Sequence, residues 1–161
     1  MSQPVPPPSG NPFAGGEQYA PAPPAAPVRD NLGLGLVVAV VAALVTAGIY
    51  GAIAGATETE VGYAAVGVGF VIGFAAAKVG GPNPALPVVS AVLGIGAVYL
   101  GQLIGMAMII AEELNGSFTE VFVDRFSLLT EAWTEVADGM TYVFLAIAAV
   151  TAFAGARKAN A

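Results

Sequence analysis

Few residues in this chain could do chemistry, and their types rule out more than they suggest. Among the 161 residues there is no cysteine and no histidine, which excludes disulfides, thiol nucleophiles, thiolate zinc sites, imidazole bases and His-ligated haem. Carboxylates, five basic side chains and an amide inside an apolar run remain. Asp124 and Arg125 are adjacent in sequence, so on a helix they point in different directions and make a poor catalytic pair. Glu112 and Glu113 close a long apolar run at a level that water reaches. They read either as a solvated helix terminus or as groups that admit a cation to a polar path. Gln102 is the most polar residue deep in an apolar segment, and its amide either hydrogen-bonds a neighbouring helix or lines a pore. No nucleophile, base and metal-ligand set converges anywhere, so we expect no enzyme, no cofactor and no metal site.

The elements that must position these residues are dictated by length and charge. Apolar residues make up 57% of the chain and charged residues 10%, with a mean hydropathy of +0.78, whereas roughly a quarter of a soluble domain is charged. The composition therefore predicts an all-α integral membrane protein with one membrane domain. Its centre is a helical hairpin: Val61–Ala77 and Val79–Ala111 contain no Asp, Glu, Lys or Arg, and they are joined by Gly80-Gly81-Pro82-Asn83-Pro84 with Lys78 at the edge. A helix rises about 1.5 Å per residue and needs about 20 apolar residues to cross a bilayer. We expect four spans, at about residues 32–56, 61–79, 86–111 and 140–156.

Small residues recur at helical spacing along these spans, and they form the main candidate site. Ala43, Ala47, Gly51 and Gly55 mark the first span, Ala65, Gly69, Gly73 and Ala77 the second, and Ser90, Gly94, Ala97, Gly101 and Gly105 the third. Such stripes let backbones approach closely, which is the main source of packing energy where lipid is as apolar as leucine. The helix-packing residues expected are Gly51, Gly55, Gly69, Gly73, Gly94, Gly101 and Gly105, with Gly101 at the closest approach because Ala97 and Gly105 flank it. Gly and Ala supply 53 of the 161 residues, so composition alone could also produce these patterns.

Residues 1–31 hold nine of the twelve prolines and read as a disordered cytoplasmic tail, since nothing there supplies a packed face. Pro4-Val5-Pro6-Pro7 fits a PxxP pattern and Asn11-Pro12-Phe13 resembles the peptide that eukaryotic EH domains bind; a solvated spacer is the simpler reading. The tail lacks the basic start and early apolar core of a cleavable signal, so the first apolar segment is expected to stay as an anchor.

Residues 117–138 differ in kind. Ser117 and Glu120 form a capping box, and Phe118, Phe122, Phe126, Leu129 and Trp133 then recur every three or four residues. The opposite face carries Glu120, Asp124, Glu131, Glu135 and Asp138. We expect an extracytoplasmic amphipathic helix, and its acidity favours docking on the protein's own spans or on a partner over binding anionic lipid. Arg29, Lys78, Arg157 and Lys158 fall on one side of a four-span protein and Arg125 alone on the other, so both termini are expected in the cytoplasm of a cell membrane.

The run Glu60-Val-Gly-Tyr-Ala-Ala-Val-Gly-Val-Gly-Phe-Val-Ile-Gly-Phe, lone Lys78 and the glycine-rich span that follows resemble a family of small bacterial, actinobacterial-type membrane modules of unestablished function. That resemblance implies an architecture and no catalytic residues. Three function classes are open. A structural or accessory protein, assembling with itself or with other membrane proteins in the lipid bilayer, leads; a small transporter or channel subunit is the alternative, and an intramembrane enzyme comes last. Nothing in the composition points to nucleic acid.

Overall fold

In a computed structural model, which describes residues 30–58 and 62–161, the chain is helical with no strand among the described residues. Helix α1 spans Leu32–Thr57, α2 Ala64–Gly80 and α3 Ala85–Glu113; a π-helical turn at Glu120–Asp124 leads into α4, Phe126–Val136, and α5 runs Gly139–Lys158. Three of them, α1, α3 and α5, are long and apolar enough to cross a membrane, whereas α2 has 17 residues. The tail sequence up to Arg29, including the PxxP and Asn-Pro-Phe patterns, lies outside the described residues, as do residues 59–61.

The α2–α3 hairpin is the spine of a four-helix bundle. Helix α1 packs on α3 and α2, and α5 packs on α2 and α3, so the two flank the hairpin in a lozenge-shaped cross-section. The chain enters and leaves at one end. There the Asn31 N–H donates to the Gly80 carbonyl (2.9 Å), the Asn83 amide donates to the Asp30 carboxylate (3.1 Å), and the Asn160 amide donates to the Gly81 carbonyl (3.2 Å). Lys78, Arg157 and Lys158 sit at this end, with Lys78 Nζ 5.8 Å from the Phe74 ring centroid. Gly81 makes the turn possible: its φ of 83° lies where residues with a Cβ are strained.

All seven candidate glycines face another helix. An added Cβ at Gly73 would collide with the Ala152 carbonyl, and one at Gly69 with the Ala148 carbonyl and the Thr151 hydroxyl. Gly94 faces the same Ala148 carbonyl at 2.9 Å. On the other flank, a Cβ at Gly51 would lie 2.6 Å from Ile104 and 2.7 Å from the Gly101 carbonyl, one at Gly55 2.9 Å from Met108, and one at Gly105 3.0 Å from Ala54. A Cβ at Gly101 would meet the Tyr50 ring and lie 3.0 Å from the Ala47 carbonyl, so the tightest backbone approach is at Gly73 against α5 and not at Gly101. Gly67, on the same helix as Gly69 and Gly73, faces open space. Ser90 is fully buried, and its hydroxyl oxygen has no hydrogen-bond partner.

The helices differ in length. At 1.5 Å per residue α2 and α5 measure about 25 and 30 Å, while α1 and α3 reach about 40 Å and project beyond them at the end opposite the lysines. Helix α3 closes there with Asn115 in the left-handed region (φ 49°); its N–H donates to the Glu112 carbonyl and the Gly116 N–H to the Ala111 carbonyl. This pairing satisfies the last carbonyls and turns the chain back along α3.

The continuous amphipathic helix expected over 117–138 is broken. The Arg125 N–H donates to the Glu120 carbonyl five residues back, which widens one turn, and α4 starts afresh with the Leu129 N–H bonded to the Arg125 carbonyl. Only half of the capping box forms: the Glu120 N–H donates to the Ser117 hydroxyl, while the Glu120 carboxylate is taken by Arg125 at 2.7 Å. The extra residue in the wide turn rotates the face. Val121, Leu129 and Trp133 are buried, but Phe118 and Phe126 stay exposed, each packing its ring on the half-buried Phe122.

Candidate functional site

The returning segment lies against the projecting part of α3. Val121 and Leu129 pack with Leu103, Ala107 and Ala111, small and branched residues on one stripe of that helix. Trp133 reaches furthest: its Nε1–H donates to Gln102 Oε1 at 3.0 Å, and its ring meets Tyr99 edge-on at 4.7 Å and Tyr142 at 6.1 Å. Gln102 is thus tied to the amphipathic segment, and a buried indole N–H that would otherwise be costly has its acceptor.

Between α1, α3 and α4 this packing leaves a cavity of about 290 Å³. Tyr50, Ala54 and Glu58 line it from α1, Gln102, Met106 and Ile109 from α3, Trp133 and Val136 from α4, and Thr141 from the start of α5. Its surface is mostly apolar, with the Gln102 amide and Tyr50 ring toward the bundle and Glu58 on its wall. Glu58 is the C-cap of α1 in the left-handed conformation, φ 50°. Glu112 and Glu113, candidates for admitting a cation, are exposed at the end of α3 and do not line the cavity.

The surroundings are negative. Among the described residues, Glu58, Glu112, Glu113, Glu120, Asp124, Glu131, Glu135 and Asp138 share this end with Arg125 alone, and that guanidinium is bonded to Glu120. Asp138 caps α5, accepting from the Thr141 N–H (2.9 Å) and hydroxyl (3.0 Å). The Thr141 N–H, then its hydroxyl, hold the carboxyl below its ordinary value by bonding the charged form.

The sequence singles out Gln102 and Trp133 but not their union, and it gives Tyr50 no place in a site. A signal for the α1 wall was present: Tyr50, Ala54 and Glu58 are spaced by four, on one helix face, just as Gln102 and Met106 are on α3. The arrangement offers binding, an apolar recess with an amide inside and a carboxylate on its wall, in place of an acid and base aimed at a common atom. The chain matches no protein-family model, no curated protein and no solved structure, so its function has to be argued from this geometry.

Proposed function

We propose that the chain is a four-span protein of a cell membrane, with both termini cytoplasmic, that serves as a structural or assembly component rather than an enzyme. Matched lengths support the four spans. From the basic end to the level of Gln102, α1, α2, α3 and α5 each run for about 25–30 Å, the thickness of a hydrocarbon core, although α2 is short. The exposed Val37, Val40, Val41, Leu44, Val45 and Ile49 of α1 suit contact with lipid. On this reading α4 and the projecting ends of α1 and α3 form an extracytoplasmic cap that keeps the carboxylates in water. The architecture is in keeping with the small bacterial membrane modules that the glycine-rich run resembles.

The observation that carries the assembly role is the closeness of the backbone crossings at Gly69, Gly73, Gly51 and Gly105. Packing of this kind makes a rigid scaffold with a basic end and an acidic end, suited to holding other membrane proteins or further copies in place. The cavity at Gln102 favours a second reading, a small transporter or channel subunit. Two measurements test the pair. Single cysteines at Ser9 and Ser117 should label from opposite sides of the membrane, and labelling from one side refutes four spans. The purified chain in sealed vesicles should pass no ions or small solutes; saturable flux would overturn the assembly role in favour of transport.

A further inference from the structure

We propose that the cavity between α1, α3 and α4 binds a small amphiphilic cation, an ammonium group carried on a compact apolar or aromatic body. Shape gives the first argument. At about 290 Å³ the space sits at the small end of ligand sites, and its walls of Met106, Ile109, Trp133 and the Tyr50 ring exclude a bare metal ion, which needs an oxygen cage. An apolar body gains by leaving water for these walls.

Charge gives the second. Glu58 lies on the cavity wall, and the eight described carboxylates of this end face one guanidinium that Glu120 already holds. The resulting field concentrates cations and repels anions. An ammonium near Glu58 gains a carboxylate partner, and aromatic rings nearby attract cations through their negative faces. This site does not depend on the assembly role: the α2–α5 crossings at Gly69 and Gly73 lie outside it.

Trp133 is the single tryptophan of the chain and lines the cavity, so its emission reports occupancy directly. The full chain in phosphatidylcholine nanodiscs is titrated with benzyltrimethylammonium, with benzyl alcohol as the neutral comparator and benzenesulfonate as the anionic one. The cation should change the emission saturably, with a half-saturation about tenfold below that of benzyl alcohol, and benzenesulfonate should give no saturable change. Glu58→Gln should raise the half-saturation for the cation about tenfold and leave benzyl alcohol unchanged. Glu58→Asn, which tolerates the left-handed cap, repeats the test if the glutamine variant folds poorly. Ile109→Phe, filling the space, should weaken both ligands. Equal affinity for cation and alcohol, indifference to Glu58, or no saturable response each overturns the proposal.

Discussion

Replacing Gly73 with alanine adds a single methyl group, aimed at the Ala152 carbonyl of α5 and the Ala156 N–H below it. Both obstacles are backbone, so no side chain can swing aside and the helices must separate. Overpacking of this kind costs about 1–3 kcal/mol, while glycine to alanine inside a helix returns about 0.5–1 kcal/mol of propensity. The net expected is a loss of about 1–2 kcal/mol, or roughly 2–8 °C in midpoint for a chain of this size. Gly67→Ala is the control, six residues away on the same helix with nothing within 4 Å of the added Cβ. It meets no neighbour and should be neutral or stabilising by about 0.5–1 kcal/mol. Thermal unfolding in one mild detergent, followed by Trp133 emission and by solubility, compares the two. Gly101→Ala should fall between them, because its closest obstacle is the Tyr50 side chain and the Ala47 carbonyl stands off at 3.0 Å. If Gly73→Ala and Gly67→Ala unfold together, the crossings are not close in the protein, and the scaffold reading fails with them.

Ser90→Ala should stabilise the bundle by about 1 kcal/mol, because it removes a buried hydroxyl without a partner; a loss on chemical unfolding would mean that the oxygen is bonded. Gln102→Leu should cost about 1–3 kcal/mol by leaving the Trp133 N–H buried and unpaired, and it should shift the indole emission to the blue. Unchanged stability would refute the bond. Asp138 contributes through its charged form, and its carboxyl is held below the ordinary 3.8. The stability it adds is therefore complete above that value and is lost as pH falls through the lowered one. Unfolding midpoints of wild type and Asp138→Asn should differ by a constant amount from pH 7 to about pH 5, and the difference should change only as pH falls below 3.8 and through the lowered value. A difference that already changes well above 3.8 would contradict the cap.

Much of the bundle is legible in sequence because its signals are local. The span expected at about residues 86–111 becomes the helix Ala85–Glu113, and a glycine repeating every fourth residue faces a neighbour because helical geometry stacks those positions. The failures occur where a single residue changes the phase. Phe118, Phe122 and Phe126 fit an unbroken helix, yet one wide turn at Glu120–Asp124 sends Val121 inward in their place. Nothing in the spacing records that turn, since its cause is the fit of Val121 and Leu129 onto α3. Gln102 is visible as a polar residue among apolar ones, but its partner lies 31 residues away and is set by how far the chain folds back after Asn115. The cavity is harder still to foresee, being the space left by three helices and not a property of any of them.

The pairing of α2 with α5 has a consequence for how the protein is made. Asn160 meets Gly81 across 79 residues of chain, and Gly69 and Gly73 wait for Ala148 and Ala152 over a similar stretch. At about 5–20 residues per second the ribosome needs on the order of 4–16 s to cover that distance. During this interval α1 and α3 can already clasp each other, whereas the grooved face of α2 still lacks the helix that fills it. A chain truncated before α5 would leave that groove open for good, since Ala148 and Ala152 of α5 are what Gly69 and Gly73 face.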